Sequence, residues 1–322
     1  MRKVSMEPHV YVPRLLTDTA MREVRQIGHP VVAGEEDPPD RDTLLRDAAG
    51  AVAVVCTLTE RIDAEFLDAA GPRLKVVANT AVGYDNIDVA AATERGVRVT
   101  NTPGVLDGAT ADLTMGLILA TARRVLDGDR LLRDRTPWVW GPRMLLGLDL
   151  SAGATLGIVG YGRIGRAVAR RARAFDMKIV ATPSRSAPPD DDVEFLELPE
   201  LLERSDVVTL HCPLTERTRH LIDADALRRM KPSAILVNTA RGGIVDEDAL
   251  VEALRSGTIA AAGLDVFEDE PNVDPRLTEL PNTVLTPHLG SAGVTTRERM
   301  CRLSVANAAA VLAGKEPPTP VN

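Results

Sequence analysis

The sequence predicts an α/β protein in which helices cover parallel sheets, and two observations carry this prediction. Short apolar runs rich in β-branched residues alternate with amphipathic stretches, a pattern typical of strands that are each followed by a helix. A run of glycines also follows one apolar run directly, where a strand would pass into a helix. With 322 residues, and roughly 150 residues in an average domain, the chain has the length of two domains.

The N-terminal third is predicted to form one parallel sheet with its helices. Its strands are predicted at residues 10–12, 51–56, 75–78 and 97–100, and an amphipathic helix at 64–70. The Pro-Gly pair in Asn101-Thr102-Pro103-Gly104 ends this pattern. A long helix is predicted next, over 109–126, and then an extended arm over 127–150.

A second alternating region begins at residue 151. Its strands are predicted at residues 155–159, 178–181, 206–210, 234–238, 260–264 and 283–286. A final helix is predicted at 295–312. Because strands and helical stretches alternate here as well, this region is predicted to form a second parallel sheet.

The composition is that of an ordinary globular chain. Apolar residues make up 44% of the chain and charged residues 26%, which excludes a disordered or collagen-like protein. Aromatic residues make up only 3%, so the core must consist of Ala, Val, Leu and Ile. The formal net charge of −8 disfavours polyanions as partners, and we expect neither nucleic acid nor a membrane surface.

The cysteines and apolar runs argue against a metal site, a disulfide framework and a membrane span. Cys56, Cys212 and Cys301 are far apart and form no CxxC pair, which predicts reduced thiols and no metal. No secretory apolar region follows Met1. The longest apolar stretch, at 113–122, has about half the length that a bilayer requires. We therefore expect a cytoplasmic protein.

The glycine run Gly160-Tyr161-Gly162-Arg163-Ile164-Gly165 has the GxGxxG spacing of a dinucleotide-binding turn. It follows the predicted strand at 155–159 and precedes a helix predicted to begin near Arg166. In such a turn the first glycine permits the tight bend, the second lets the backbone approach a pyrophosphate, and the third lets helix pack on strand. The N-terminus of the helix adds N–H groups and a positive dipole end. The sequence therefore predicts a Rossmann-type, doubly wound domain that binds a dinucleotide with these six residues.

The end of the next strand bears on the choice between NAD and NADP. An NAD site usually has an acidic residue about 20 residues after the turn, where it binds the ribose 2′-hydroxyl. Here the chain reads Ala181-Thr182-Pro183-Ser184-Arg185-Ser186, and the first carboxylate is Asp190. Arg185 can pair with a 2′-phosphate, and Ser184 and Ser186 can donate to it. We expect NADP(H) as the preferred cofactor, with NAD(H) as the alternative if Arg185 is a solvated loop residue.

Chemically active side chains follow the strands of the second region. The carboxyl ends of parallel strands meet at one edge of the sheet, where ligands bind. An arginine, a glutamate and a histidine are therefore predicted to converge on the edge that carries the glycine turn. The segments that follow the strands are, in chain order, His211-Cys212-Pro213, Thr239-Ala240-Arg241-Gly242-Gly243, 265–271 and Pro287-His288-Leu289-Gly290-Ser291.

These three side chains suit the reduction of a carbonyl group by hydride. Histidine is the side chain that titrates near neutral pH, so His288 can protonate the carbonyl oxygen. Glu270 can stabilise the charged imidazole and fix its ring, although the acidic residues within 265–269 are alternatives for this role. Arg241 can anchor an anionic substrate, because its planar guanidinium matches a carboxylate and an adjacent oxygen.

Together with other motifs, these residues resemble the D-isomer-specific 2-hydroxyacid dehydrogenase family over nearly the whole chain. Within the family, the chain is most similar to the glyoxylate/hydroxypyruvate reductases, because Trp138-Val139-Trp140-Gly141-Pro142 and Gly147 resemble their arm. The other motifs that carry the resemblance are Val82-Gly83-Tyr84-Asp85-Asn86-Ile87-Asp88, Asn101 to Gly104 with Thr110-Ala111-Asp112, Gly160 to Gly165, Asn238 to Gly243, Gly263 to Phe267 with Glu270-Pro271, and Pro287 to Ser291.

The resemblance implies two domains with different tasks. Residues 1–101 and 291–322 are expected to form a discontinuous, flavodoxin-like α/β substrate domain, and residues 102–290 the dinucleotide-binding domain. The family also implies a homodimer in which the arm at 127–150 crosses to the partner subunit. Trp140 in this arm is expected either to pack in the interface or to contact substrate in the partner, and the sequence does not decide between them.

The resemblance also implies the roles of individual residues. It gives Arg241, Glu270 and His288 as the catalytic set, in agreement with the chemistry above. It implies that the backbone amides of Val82 and Gly83 hold the substrate carboxylate, and loop contacts near Leu58 are expected to select the substrate. Besides the glycine turn, the residues expected to bind the cofactor are Thr110, His211, Cys212, Pro213, Thr239, Ala240, Arg241, Asp265, His288 and Gly290.

The sequence favours a 2-ketoacid reductase that makes D-2-hydroxyacids, with glyoxylate or hydroxypyruvate as leading substrates. Dinucleotide-sensing corepressors resemble the same family and can keep the same three residues, so a binding protein is an alternative. A phosphite-type dehydrogenase is another. Formate enzymes of the family pair the histidine with glutamine, so Glu270 argues against formate.

Overall fold

The structure, a computed structural model, describes residues 8–35, 37–183, 190 and 192–322. The chain divides into two compact units, Met1–Leu106 with Ala292–Asn322, and Asp107–Ser291. The strands of the described residues are β1 (His9–Arg14), β2 (His29–Gly34), β3 (Ala51–Cys56), β4 (Val76–Asn79), β5 (Arg98–Thr100), β6 (Thr155–Val159), β7 (Lys178–Ala181), β8 (Glu194–Phe195), β9 (Val207–Leu210), β10 (Ile235–Asn238), β11 (Ala261–Leu264) and β12 (Thr283–Leu285).

Helices connect and cover these strands. Aspartates cap several of them by accepting a hydrogen bond from the backbone N–H three residues later: Asp40, Asp63, Asp88, Asp223 and Asp246. The α-helices of the described residues are α1 (Asp18–Ile27), α2 (Arg41–Ala48), α3 (Ala64–Ala70), α4 (Val89–Glu94), α5 (Asp107–Ala122), α6 (Val125–Arg133), α7 (Arg163–Arg173), α8 (Leu198–Arg204), α9 (Ala224–Arg229), α10 (Glu247–Ser256), α11 (Pro275–Glu279) and α12 (Val294–Leu312).

The first unit contains a parallel sheet in the order β2-β1-β3-β4-β5, which is the flavodoxin-like strand order. Helices α2, α3 and α4 pack on one face, and α1 and α12 on the other. Strands β3 and β4 are therefore buried on both faces, which is why their sequences read as continuous apolar runs.

The second unit contains a parallel sheet in the order β12-β11-β10-β9-β6-β7-β8. Helices α5 and α7 cover one face, and α8 to α11 cover the other. From β6 the chain runs outward through β7 and β8, and it then returns to β9 on the other side of β6. The switch between β6 and β9 is where doubly wound sheets bind ligands, and the predicted fold class is confirmed.

Two strands were not predicted, and both lie at sheet edges. Strand β2 contains Pro30, which an edge strand tolerates because its missing N–H costs no ladder bond there. Strand β8 has only two residues, and both are exposed. Neither carries the apolar run by which central strands are recognised.

The prediction of one helix over 109–126 was wrong, and so was that of an arm extended from 127. Helix α5 ends at Ala122, Arg124 has a φ of 52°, and α6 begins at Val125. The Arg124 side chain donates to Asp127 at 2.7 Å, which stabilises the bend between the helices. No Pro or Gly marks the bend in the sequence, and α6 occupies the first part of the predicted arm. Helix α7 begins at Arg163 rather than near Arg166.

The chain's cysteines are free in the structure, with Cys56 and Cys301 buried and Cys212 partly exposed. Over the ranges that the structure describes, no helix has both the length and the apolar character to cross a bilayer. Within the same ranges, no three His, Cys, Asp or Glu side chains lie close enough together to hold a metal ion.

Candidate active site

The glycine turn lies at the carboxyl end of β6, against the end of β9. Gly160 has a φ of 99°, and a Cβ there would stand 2.5 Å from the backbone nitrogen of Cys212. A Cβ on Gly165 would stand 2.4 Å from the Gly160 carbonyl oxygen, so the third glycine lets α7 approach the turn. A Cβ on Gly162 would meet nothing within 4 Å, which leaves the N-terminus of α7 open. These are the three roles of a dinucleotide turn, and the open position fits a pyrophosphate.

The Tyr161 side chain is committed to the protein interior. Its ring is fully buried and packs edge-on against Phe195, with the ring centroids 5.5 Å apart. Its hydroxyl donates to Asp190 Oδ2 at 2.5 Å, and Arg173 donates to Oδ1 at 2.9 Å. Burial, together with the Asp190 carboxylate, raises the pKa of Tyr161 to about 12. Tyr161 can thus offer a ligand only its backbone, and the first carboxylate after β7 is already engaged.

The residues predicted to bind a 2′-phosphate, Ser184, Arg185 and Ser186, lie outside the described residues. The end of β7 itself is described. The hydroxyl of Thr182 accepts a hydrogen bond from the backbone N–H of Gly160 at 3.0 Å. The strand end that would face a ribose therefore contacts the glycine turn directly.

The segments that follow β10 and β11 pack against each other. A Cβ on Gly242 would stand 1.8 Å from the carbonyl carbon of Phe267, so only glycine allows this approach. Asn238, at the end of β10, donates through Nδ2 to the carbonyl of Arg241 at 2.8 Å. The turn that carries Arg241 is thus fixed against the segment that carries Glu270.

His288 and Glu270 form a hydrogen-bonded pair, with His288 Nδ1 and Glu270 Oε2 2.7 Å apart. The second carboxylate oxygen accepts from the backbone N–H of Phe267 at 3.0 Å. Burial opposes ionisation of Glu270, but the hydrogen bond and charge of His288, the Phe267 N–H and the charge of Arg241 together lower its pKa. Because Nδ1 is engaged, Nε2 is the ring atom that can transfer a proton.

A second carboxylate, that of Asp265, holds the loop that carries His288. Asp265 is 1% exposed, and its oxygens accept from Thr286 Oγ1 and the Leu289 N–H at 2.6 Å and from the Gly290 N–H at 2.7 Å. Burial raises the pKa of Asp265 in spite of these bonds. His288 itself has a φ of 55°, a left-handed conformation that costs about 1–2 kcal/mol. The bonds to Asp265 offset the cost of this conformation. They include one from the His288 N–H to the backbone carbonyl of Asp265 at 2.8 Å.

Other residues predicted beside the nicotinamide lie at the same edge of the sheet. A Cβ on Gly290 would stand 3.4 Å from the side chain of Thr110 on α5. The Thr239 hydroxyl lies 2.9 Å from that of Thr114, which follows Thr110 by one helical turn. Helix α5 therefore contacts the segments after β10 and β12 together.

His211 and Cys212, at the end of β9, add no charge to this edge. Burial lowers the pKa of His211 to about 3 and raises that of Cys212 to about 11. The imidazole and the thiol are therefore both neutral at physiological pH. Pro213 follows them in the same loop, and Ala240 lies between Thr239 and Arg241.

In the first unit, the loop after β4 contains Val82 and Gly83. The peptide bond is planar and trans, so the N–H groups of Val82 and Gly83 point opposite to the carbonyls of Ala81 and Val82. Both N–H groups therefore point away from the hydrogen-bond donors, named next, that bind these carbonyls. Three consecutive carbonyls each accept a hydrogen bond of 2.8 Å, Ala81 from the Thr102 N–H, Val82 from Asn101 Nδ2 and Gly83 from Asn79 Nδ2.

Sequence reasoning missed Asn79 and gave Asn101 no role in the site. Asn79 is fully buried, and Asn101 is 9% exposed. The available signal was an asparagine at the end of each of two neighbouring apolar strands, because a buried amide must find hydrogen-bond partners.

Leu58 and Trp140 lie in irregular segments. Leu58 belongs to a turn closed by the buried Glu60, which accepts from the Thr57 N–H at 2.6 Å and from the Thr59 hydroxyl at 2.6 Å. Trp140 is 77% exposed. The structure thus fixes the turn around Leu58, whereas it leaves the Trp140 ring in solvent.

A cavity of about 290 Å³ lies at the opposite edge of the second sheet. Its lining includes Ile235, Ala261 and Thr283, which begin β10, β11 and β12. The groups described above follow the ends of these strands, so this cavity is not part of the candidate active site.

Known proteins share this architecture. Residues 115–290 match the family described as "D-isomer specific 2-hydroxyacid dehydrogenase, NAD binding domain". A glyoxylate reductase of Thermococcus onnurineus (strain NA1) is 48% identical over 325 residues, which cover 98% of this chain and 96% of that protein.

Solved structures agree with this match. The TT0316 protein from Thermus thermophilus is 51% identical with a TM-score of 0.92, over 98% of this chain and 100% of that one. An NADPH-dependent glyoxylate/hydroxypyruvate reductase from Sinorhizobium meliloti was solved with NADP and malonate. It is 36% identical with a TM-score of 0.84, over 98% of this chain and 97% of that one.

The fold, the dinucleotide turn and the imidazole–carboxylate pair define an oxidoreductase that uses a nicotinamide dinucleotide. The chain belongs to the D-isomer specific 2-hydroxyacid dehydrogenase family. The family predicted from the sequence motifs is thus confirmed.

Proposed function

We propose that the chain reduces a small 2-ketoacid to the D-2-hydroxyacid, with glyoxylate and hydroxypyruvate as leading substrates. The observation that carries the proposal is the His288–Glu270 pair at 2.7 Å, beside Arg241 and at the sheet edge that holds the glycine turn. Relatives that are named glyoxylate reductase, at 48% identity over 98% of the chain, support this choice of substrate.

In this reaction the chain supplies the proton and holds the substrate. When bound, the reduced nicotinamide supplies hydride to the ketone carbon. His288, held by Glu270 through Nδ1, gives the proton on Nε2 to the ketone oxygen, so no free alkoxide accumulates. Arg241 binds the ketone oxygen and the anion of the substrate. For the first unit, we propose that the backbone amides of Val82 and Gly83 are donors to a carboxylate. One proton is consumed for each ketone reduced, so reduction is favoured at lower pH.

The two units would divide this work. We assign the substrate-domain role to the unit that contains Val82 and Gly83, and dinucleotide binding to the unit that contains the glycine turn. The division into two compact units supports this assignment, since their boundaries at Leu106 and Ser291 fall within a few residues of the expected positions.

A direct assay tests the proposal. Oxidation of NADPH and of NADH is followed at 340 nm with glyoxylate, hydroxypyruvate, pyruvate and phenylpyruvate. We expect the highest kcat/KM with glyoxylate or hydroxypyruvate. If no ketoacid is reduced although NADPH binds, a dinucleotide-sensing binding protein replaces the enzyme. If phosphite reduces NADP in the presence of the protein and no ketoacid is a substrate, the protein is a phosphite-type dehydrogenase.

Replacing Glu270 by glutamine is expected to move the pH profile of reduction. The lowered pKa of Glu270 keeps it ionised at neutral pH, where the carboxylate is paired with His288 Nδ1 at 2.7 Å. Glutamine removes the negative charge beside the proton donor, so the pH above which kcat falls should move to a lower value. The pH dependence of kcat for Glu270→Gln and wild type measures this. Glu268→Gln is the matched control, because Glu268 bonds His220 instead. An unshifted profile in Glu270→Gln would reject its assigned role.

We also propose that NADP(H) is preferred over NAD(H). The sequence places Arg185 after β7, and the first carboxylate there, Asp190, is bound by Tyr161 and Arg173. A 2′-phosphate would therefore meet a cation without a competing free acid. The NADP-bound structure of a relative supports the same preference.

Replacing Arg185 by aspartate is expected to reverse this preference. The ratio of kcat/KM for NADPH to that for NADH should fall by about 10- to 100-fold, because a carboxylate repels the phosphate that the guanidinium attracts. Arg170→Asp makes the same charge change on the exposed face of α7 and should leave the ratio unchanged. An unaltered ratio in Arg185→Asp would reject the assignment.

We propose a homodimer that forms through the segment from α6 to the end of the arm. Exposed apolar side chains are concentrated there, and such a patch marks an interaction surface. Sedimentation equilibrium at micromolar concentration would detect the dimer, and a monomer would reject it. Within this segment, the large apolar side chains that are more than half exposed are Val125, Leu132, Trp138, Val139, Trp140 and Leu146.

We place the protein in the cytoplasm. Its free cysteines, two of them buried, suit a reducing compartment.

A further inference from the structure

We propose that Thr319, in the tail that follows α12, is a positioning residue for substrate binding. It would act through Asn101 on the loop that contains Val82 and Gly83. The inference rests on the proposed function, because it requires the two loop amides to bind the substrate carboxylate.

Thr319 belongs to a closed network of hydrogen bonds with Asn101 and Asn307. Its hydroxyl donates to the Asn101 carbonyl at 2.6 Å and accepts from Asn307 Nδ2 at 2.8 Å. Its N–H donates to Asn307 Oδ1 at 3.0 Å, and its carbonyl accepts from the Asn101 N–H at 3.3 Å. Asn307, on α12, is fully buried. The backbone of Asn101 is thus held through both its N–H and its carbonyl.

The position of the Asn101 backbone determines the position of the loop that contains Val82 and Gly83. Asn101 has a short side chain, and its Nδ2 reaches the carbonyl of Val82 at 2.8 Å. The next residue, Thr102, donates through its N–H to the carbonyl of Ala81 at 2.8 Å. These two carbonyls belong to the same planar peptides as the N–H groups of Val82 and Gly83. A shift of Asn101 would therefore rotate both amides.

The tail is also anchored by a second set of bonds that does not involve Asn101. The Val321 N–H donates to the carbonyl of Val99 at 2.8 Å, and Asn322 Oδ1 accepts from the Val99 N–H at 2.7 Å. Asn322 Nδ2 donates to the carbonyl of Val97 at 3.0 Å. These bonds pair the tail with β5. Because these bonds are separate from those of Thr319, the effect of the tail on stability can be measured apart from its effect on the loop that contains Val82 and Gly83.

Thr319→Val tests the proposal in the full chain. Valine has nearly the shape of threonine but lacks the hydroxyl, so it loses the bonds to the Asn101 carbonyl and to Asn307 Nδ2. It keeps the two bonds made by the backbone of residue 319. We expect KM for glyoxylate to rise about 10-fold, with kcat changed less than about threefold and the Kd for NADPH unchanged, as expected when a ground-state contact is weakened. Thr319→Ser keeps the hydroxyl and should restore KM. Thr319→Ala is a second variant in case the valine perturbs folding.

Asn322→Ala is the matched control, because it weakens the tail's pairing with β5 and leaves the Thr319 network intact. It should lower Tm while KM stays within about twofold of wild type. If Thr319→Val lowers Tm without raising KM, or if Asn322→Ala raises KM equally, the tail only stabilises the fold and the inference is wrong. The assay of the wild-type chain tests the proposed function separately. If wild type reduces no ketoacid, the proposed function is wrong, and the inference that rests on it is wrong with it.

Discussion

Replacing His288 by alanine is expected to lower kcat for ketoacid reduction by about 10²- to 10⁴-fold, the usual contribution of a positioned general acid. The hydrogen bond of 2.7 Å to Glu270 orients the ring, and without the ring the developing alkoxide would have to take a proton from water. Steady-state kinetics at pH 7 measure the loss. The Kd for NADPH, from fluorescence titration, should change less than about threefold, because the proton donor contributes little to dinucleotide binding.

His220 provides a matched control for this variant. Its Nε2 lies 2.8 Å from Glu268, so it too is an imidazole paired with a carboxylate at hydrogen-bond distance. His220→Ala should keep kcat within about twofold of wild type, the usual outcome for a surface substitution away from the chemistry. Turnover of His288→Ala that is close to that of wild type would end the assignment of His288 as the acid.

Replacing Arg241 by methionine is expected to lower kcat/KM by about 10²- to 10³-fold. Loss of one partner from a buried, hydrogen-bonded charge pair costs about 2–5 kcal/mol, and each 1.4 kcal/mol is about tenfold. Methionine preserves much of the side-chain volume, so Asn238 and Gly242 should still shape the turn. Arg241→Lys retains the charge but not the planar fork, and it should recover only part of the activity.

The control for Arg241→Met is Arg219→Met. Arg219 lies in the loop after β9, and its side chain is 58% exposed. Its replacement should leave kcat/KM within about twofold, since exposed ion pairs contribute little. Unchanged kcat/KM in Arg241→Met would show that the substrate anion is held elsewhere. A raised KM with normal kcat would restrict Arg241 to ground-state binding.

The sequence was sufficient for those parts of the fold and site that follow from local pattern. Central strands such as β3 and β6 are buried on both faces and therefore carry continuous apolar runs. The glycine turn has a fixed spacing, because each glycine answers a separate steric demand. Arg241, Glu270 and His288 could be grouped because parallel strands bring the residues that follow them to one edge.

Other features depend on contacts that leave no local pattern. Asn101 is hydrogen-bonded to Thr319 in the tail, more than two hundred positions along the chain, and the local sequence of neither segment predicts this contact. The bend at Arg124 breaks a helical pattern that contains no Pro or Gly at that point. Edge strand β2 is partly exposed and contains a proline, so it lacks the usual signature of a strand.

The hydrogen bonds of Asp190 to Tyr161 and Arg173 have a consequence for any attempt to change the coenzyme preference of this chain. Asp190 is the resident carboxylate that a redesign would first move toward the adenosine ribose, but it neutralises Arg173 and accepts the hydrogen bond of the buried Tyr161 phenol. Recruiting it would leave both groups unsatisfied and weaken the packing beneath β7. An acid introduced at another position would leave the bonds of Asp190 to Tyr161 and Arg173 in place, so coenzyme preference and the packing around Tyr161 can be tuned independently.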